Sequence, residues 1–141
     1  MSSVERSTEQ ATVDDDAPSR ARVLVVDDHD SSVVLARRIL RTGGYTKVRS
    51  ASDARDALLL VRSWDPDIVL LDLHMPRLGG TEFIRKIRNS DPPSTVPVLV
   101  LTGDDDPEAL ARASQAGANA CLLKPIDAGE LLQKVSSLLA G

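Results

Sequence analysis

The chain has 141 residues, which is enough for one domain with a buried core but too few for two domains of ordinary size. Aromatic residues make up only 2% of the chain, so aliphatic side chains must form most of its core. The formal charge is −4, of which residues 1–20 carry −3, and the nearly neutral remainder lacks the basic excess that direct binding of nucleic acid requires.

Neither the apolar runs nor the cysteine content points to a membrane or secreted protein. The apolar runs fall far short of the ~18 residues of a membrane helix, and the N-terminus lacks the apolar stretch of a secretory signal. Cys121 has no second cysteine with which to form a disulfide, as is typical of a reducing compartment. We therefore expect a cytoplasmic protein that does not insert into a membrane.

The first 20 residues differ in composition from the rest of the chain. They are rich in Ser, Thr, Glu, Asp and Gln and contain almost no large apolar side chains, so their contacts cannot offset the entropy lost on ordering. This composition predicts a disordered acidic tail over residues 1–20 and one folded domain over residues 21–141.

Short apolar runs alternate with segments of helical period after residue 21. Unbroken runs of Val, Ile and Leu are typical of parallel strands that are covered on both faces. The predicted strands are residues 23–26, 68–71 and 98–101, with two weaker ones at about 46–50 and 119–123. This alternation predicts five βα units in succession, and right-handed crossovers then make an α/β, doubly wound, three-layer sandwich.

The segments between the strands carry recognisable helix ends. Capping residues predict the starts of three helices at Ser52, at Asp106-Pro107 and at Asp127 with Glu130, and Gly117 is predicted to end the helix that starts at Asp106. A further helix follows Gly79-Gly80.

The helix after the first strand has an apolar arc and one apolar residue outside it. Val34 points away from the arc, among Arg37, Arg38 and Arg41. The residues that share the arc are Val33, Leu35, Ala36, Ile39 and Leu40. An exposed valine beside arginines predicts a docking position for a partner helix.

Polar residues follow the predicted strands at one edge of the sheet, where ligands of such folds bind. They are Asp27, Asp28, Asp72, Thr102 and Lys124. Three neighbouring carboxylates repel one another unless a cation joins them, and Mg²⁺ suits oxygen ligands and an additional phosphate. Thr102 and Lys124 suit the oxygens of a phosphoryl group, and a central carboxylate can act as a nucleophile.

These residues lie in motifs that resemble the receiver domain of two-component response regulators. The motifs are VLVVDD (residues 23–28), DIVLLDLHMP (67–76), VLVLTG (98–103) and CLLKP (121–125). The resemblance covers about residues 21–140 and implies a flavodoxin-like (βα)₅ fold with strand order 2-1-3-4-5.

The resemblance also implies a ligand set for Mg²⁺, with Mn²⁺ as a possible substitute. Asp28 and Asp72 would bind the ion directly, Asp27 would act partly through water, and the backbone carbonyl of His74 would be a further ligand. His29 is a weaker ligand candidate, because oxygen ligands already suffice for Mg²⁺.

The same resemblance makes Asp72 the phosphoacceptor. Thr102 would then bind the phosphoryl group as the switch residue, and Lys124 would pair with that group from the other side. We expect the Lys124-Pro125 bond to be cis. The phosphoryl donor would be a sensor histidine kinase or a histidine phosphotransfer protein, and the output partner an unidentified downstream protein.

Position 121 departs from the family pattern, which usually has Tyr, Phe or His at this switch position. Cys121 is too small to swing into a pocket, and we expect a small buried hydrophobe there. We therefore predict that phosphorylation signals through Thr102 and the start of the helix at residues 106–116. The basic residues Arg77, Arg85, Lys86 and Arg88 are predicted to be a solvated helix face.

The alternatives are an aspartyl-phosphate phosphohydrolase, a nucleotide- or flavin-binding module and a receiver that is not phosphorylated. A phosphohydrolase of the haloacid-dehalogenase type has an aspartate where this chain has His74. A nucleotide module needs a phosphate-binding first loop, whereas residues 27–30 are mainly acidic. The complete set of five polar residues disfavours the third alternative. We therefore expect a signalling domain that catalyses only its own phosphorylation and dephosphorylation.

Overall fold

The computed structural model describes residues 17–75 and 77–141. Their strands form one parallel sheet in the order β2-β1-β3-β4-β5. The strands are β1 (Arg22–Val26), β2 (Lys47–Ala51), β3 (Ile68–Leu71), β4 (Val98–Thr102) and β5 (Ala120–Leu123). The predicted fold class and strand order are confirmed.

One helix follows each strand, and the helices cover both faces of the sheet. They are α1 (Asp30–Thr42), α2 (Ala54–Ser63), α3 (Gly80–Arg88), α4 (Pro107–Ala116) and α5 (Ala128–Ala140). Side chains of α1 and α5 pack on one face, and those of α2, α3 and α4 pack on the other. Burial on both faces explains why the central strands β1, β3 and β4 are continuous apolar runs. Among residues 17–75 and 77–141, no helix has the length and apolar character to cross a membrane.

The helix caps agree with the sequence predictions except at α2. Asp106 accepts a hydrogen bond from the Glu108 N–H at 3.2 Å, and Gly117 ends α4 with φ of 122°. Asp127 accepts one from the Glu130 N–H at 2.9 Å. The cap of α2 is Asp53 and not the predicted Ser52. The helix starts one residue later than predicted, which lets the Asp53 carboxylate accept the Asp56 N–H at 2.8 Å.

The structure describes the last four residues of the predicted tail. Residues 17–20 are helical, and the Ala21 N–H donates to the Pro18 carbonyl at 3.2 Å. Pro18 lies against Gly44, where a Cβ would come within 3.3 Å of the proline ring. Residues 1–16 of the predicted tail lie outside the described residues.

Arg88 is half-buried and not part of a solvated basic face as predicted. Its guanidinium donates to the carbonyl oxygens of Val96 at 2.7 Å, Gly117 at 2.8 Å and Ser94 at 3.1 Å. It also reaches Asn119 Oδ1 at 3.1 Å. Arg88 therefore ties the end of α3 to the loop before β4 and to the turn before β5.

We expect Arg88→Ala to lower the free energy of unfolding by about 2–3 kcal/mol, because several backbone carbonyls lose a charged donor. Urea unfolding followed by circular dichroism measures the change. Lys86→Ala, at an exposed position of the same helix, is the control and should change stability by less than about 0.5 kcal/mol. Equal unfolding midpoints for the two variants would contradict the role of Arg88.

Candidate functional site

The carboxyl ends of the strands hold the polar residues in place through backbone hydrogen bonds. The Asp27 N–H donates to the Ala51 carbonyl at 3.1 Å, and the Asp72 N–H donates to the Val26 carbonyl at 2.9 Å. These bonds continue the pairing of β1 with β2 and β3 by one residue. In the same way, the Lys124 N–H donates to the backbone carbonyl of Thr102, at the end of β4, at 2.8 Å. The sheet thereby places these side chains at one edge, as predicted.

Four potential ligand residues cluster at this edge. One ligand atom from each of Asp27, Asp28, His29 and Asp72 lies within 4.8 Å of the other three. Asp27 and Asp72 are buried, with 6% and 5% of their surface exposed. Oδ1 of Asp28 is also buried and has no hydrogen-bond partner among the described residues.

This cluster fits a divalent cation. A buried carboxylate oxygen without a partner is costly, because it has lost water and gained no donor. A cation bound by Asp27, Asp28 and Asp72 would restore that interaction, and a set of oxygen donors is the chemistry that Mg²⁺ prefers.

Burial raises the pKa of Asp72 above its ordinary value. The His74 N–H, which donates to Asp72 Oδ1 at 3.2 Å, and the Lys124 ammonium both lower this pKa, while the nearby Asp27 carboxylate raises it. Desolvation is the largest of these influences. A bound cation would therefore favour the charged form of a carboxylate that its surroundings disfavour.

Lys124 lies between the two buried aspartates. Its Nζ is 3.0 Å from Asp27 Oδ2 and 3.7 Å from Asp72 Oδ2, and it lies 3.3 Å from Ser32 Oγ. The Lys124-Pro125 bond is cis, as predicted. One ammonium group faces several carboxylates, so the net charge at this edge of the sheet remains negative.

Thr102 begins a chain of hydrogen bonds that runs into α4. Its side chain is fully buried, and Oγ1 accepts the Asp104 N–H at 3.1 Å. Asp104 Oδ1 accepts the Asp106 N–H at 2.9 Å, and Asp106 caps α4. His74 Nε2 lies 2.8 Å from Asp104 Oδ2. The hydrogen bond from the Asp106 N–H holds the pKa of Asp104 below its ordinary value, and the hydrogen bond with the His74 ring has a smaller effect in the same direction.

Cys121 is exposed, which contradicts the prediction of a buried side chain. It belongs to the edge strand β5 and lines a cavity of about 190 Å³ together with Val100, Leu110 and Ala113. The edge position and this open cavity leave much of the residue exposed. Partial burial still raises the pKa of the thiol, which favours its protonated form.

The predicted docking position on α1 is exposed. Val34 has 52% of its surface exposed, and Leu35 has 43%, although Leu35 was predicted to lie on the inner arc. The helix buries only Ala36, Ile39 and Leu40, so its apolar face is narrower than the sequence suggested. Arg37 is not free to meet a partner, since it donates to the Val48 carbonyl at 3.1 Å.

Sequence reasoning missed Ser32 and gave His29 little weight. Ser32 contacts Lys124, which is 92 positions away in the chain, and no local sequence pattern predicts such a contact. His29 had an available signal, because it directly follows the aspartate pair at the end of β1.

Comparison with known proteins identifies relatives across most of the chain. The family model described as the response regulator receiver domain matches residues 23–136. The sensor kinase/phosphatase CqsS of Vibrio cholerae is 38% identical over 82% of this chain and 17% of its own length. The response regulator MprA of Mycolicibacterium vanbaalenii is 42% identical over 84% of this chain and 50% of its own length. The chain therefore spans at most half of these two relatives.

A solved structure of similar length shares the fold. The chemotaxis protein CheY4 of Vibrio cholerae is 31% identical and superposes with a TM-score of 0.77. The match covers 84% of this chain and 98% of the CheY4 chain.

We expect Mg²⁺ to stabilise the folded protein, because the carboxylate cluster exists only in the folded state. At about ten times its Kd, the ion should raise the free energy of unfolding by about 1.4 kcal/mol. Urea unfolding with and without Mg²⁺ measures the increase. Asp28→Ala should remove most of it, whereas Asp30→Ala, at an exposed position in the first turn of α1, should retain it. An unchanged increase in Asp28→Ala would contradict the assignment.

Proposed function

The chain belongs to the family of response regulator receiver domains, and we propose that it accepts a phosphoryl group on Asp72 in a two-component system or phosphorelay. The main support is the position of Asp72, a buried carboxylate in the acidic cluster with the Lys124 ammonium 3.7 Å away. The proposed donor is a phosphohistidine on a sensor histidine kinase or a histidine phosphotransfer protein. One relative that matches this chain is described as a sensor kinase/phosphatase, which supports this kind of donor.

In the proposed reaction, an oxygen of Asp72 forms a bond to phosphorus as the bond between phosphorus and the donor imidazole breaks. The imidazole leaves with the electron pair of that bond. Lys124 lies close enough to Asp72 Oδ2 to pair with the transferred group. Mg²⁺ held by Asp27, Asp28, Asp72 and the His74 carbonyl would supply positive charge to the phosphoryl oxygens. The domain itself acts as a signalling module.

Thr102 is the proposed switch residue. Its Oγ1 accepts the Asp104 N–H, and its hydroxyl proton has no acceptor among the described residues. If Oγ1 moves toward a phosphoryl oxygen so that the hydroxyl donates to it, the bond that Oγ1 accepts from the Asp104 N–H lengthens. The change passes along the hydrogen bonds to Asp106 and thus to the start of α4.

This route does not require a side chain that swings inward at position 121. Cys121 lies on the surface, and the hydrogen bonds from Thr102 bypass it. The proposed output is therefore a change of partner binding at the start of α4. The partners are proposed to be cytoplasmic proteins, and the downstream one is unidentified.

Asp72→Asn should abolish phosphorylation, because an amide oxygen is a poor nucleophile and cannot carry the carboxylate charge. Incubation with Mg²⁺ and acetyl phosphate, followed by intact-protein mass spectrometry, should show one added phosphoryl group on the wild-type chain and none on the variant. Asp30→Asn is the control and should be modified like the wild type. A wild-type yield in Asp72→Asn, or no Mg²⁺-dependent adduct in the wild type, would refute the proposal.

Val34→Asp should slow transfer from a phosphorylated histidine phosphotransfer protein that acts on the wild-type chain, by about tenfold. The reason is that a carboxylate at the exposed apolar position on α1 opposes docking of a partner helix. The rate with acetyl phosphate should not change, since this donor needs no docking surface. Leu59→Asp places the same charge at another exposed apolar position, on α2, and should leave both rates unchanged. Equal transfer rates for Val34→Asp and the wild type would exclude docking at Val34.

A further inference from the structure

His29 is the N-cap of α1, yet its side chain makes no capping hydrogen bond to that helix. The ring turns instead to the acidic cluster, where Nδ1 lies 3.2 Å from Asp27 Oδ1 and 3.1 Å from Asp28 Oδ1. Most of the side chain is exposed, with 63% of its surface accessible, so burial does not force this orientation.

A direct pairing of His29 with the carboxylates explains only half of this geometry. Nδ1 has hydrogen-bonding geometry toward Asp27 Oδ1, but Asp28 Oδ1 has no hydrogen-bond partner despite its short distance from the same nitrogen. An imidazole nitrogen and a buried, unpaired carboxylate oxygen therefore lie side by side. In the tautomer with the ring proton on Nε2, the Nδ1 lone pair is free, and one cation would bind Nδ1 and Asp28 Oδ1 together with Asp27 and Asp72.

We propose that His29 is an imidazole ligand of the divalent cation at this site. Imidazole is a common ligand of first-row transition metals, whereas Mg²⁺ prefers oxygen and retains water. His29 thus shifts the selectivity of the site toward Mn²⁺ and away from Mg²⁺, relative to a site of oxygen ligands alone. This inference rests on the proposed function, since the same cation would assist phosphoryl transfer to Asp72.

The chain contains only two histidines, which makes a spectroscopic test decisive. Mn²⁺ is added to the full chain, and pulsed electron paramagnetic resonance detects coupling of the metal to the ¹⁴N nucleus of a bound imidazole. The coupling should be present in the wild type and in His74→Ala, which keeps the backbone carbonyl of residue 74. It should be absent in His29→Ala.

Affinities provide a second measurement on the same samples. The signal of free Mn²⁺ reports its binding, and competition with Mg²⁺ reports the affinity of the second ion. In His29→Ala, the ratio of the Mn²⁺ affinity to the Mg²⁺ affinity should fall by roughly tenfold or more, a loss that removal of an outer partner of a metal ligand can already cause. The ratio in Asp30→Ala, a variant outside the cluster, should stay near that of the wild type.

Two results would overturn this proposal. One is bound Mn²⁺ without nitrogen coupling in the wild type, and the other is coupling that persists in folded His29→Ala, with folding checked by circular dichroism. If the wild type still gains a phosphoryl group on Asp72 with Mg²⁺, only the role of His29 has failed. If nitrogen coupling depends on His29 but no phosphoryl group is gained, the ligand assignment stands and the proposed function fails.

Discussion

The site depends on the enforced proximity of carboxylates at the edge of a parallel sheet. Asp27 and Asp72 are buried because they directly follow neighbouring central strands, and their backbone bonds to Ala51 and Val26 leave them little freedom to separate. Lys124 arrives from the far end of the chain and bonds to Asp27, 97 residues away, at 3.0 Å. The Lys124 ammonium offsets part of the negative charge, and the carboxylate charge that remains favours binding of a second cation.

The same edge connects the site to the surface of the protein. Thr102 is buried beside the cluster, and the hydrogen bonds through Asp104 and Asp106 lead from it to the first turn of α4. His74 joins this path from the other side, because it bonds to Asp104 with its ring and to Asp72 with its backbone N–H. The hydrogen bonds from Thr102 and from His74 thus meet at Asp104, which bonds to the N-cap of α4, and neither path includes Cys121.

Burial predictions from the sequence succeeded where a residue is covered on every side. The unbroken apolar runs identified β1, β3 and β4 because these strands are central and have helices on both faces. Cys121 was misjudged because it lies on the edge strand β5, beside an open cavity. Leu35 was misjudged because a helical period defines a direction but does not define how much of that direction the sheet covers.

The sequence by itself determined the fold class, the order of the strands through the family resemblance, and the residues at the carboxyl edge, since these depend on local composition and on motifs. The tertiary structure alone decided how those residues meet. Arg88 connects two loops that are distant in the chain, and Ser32 contacts Lys124. Asp28 Oδ1 lies beside His29 without a hydrogen-bond partner among the described residues. Each of these depends on distances of a few ångströms between separate segments of the chain, and no periodicity or spacing within one segment encodes such distances.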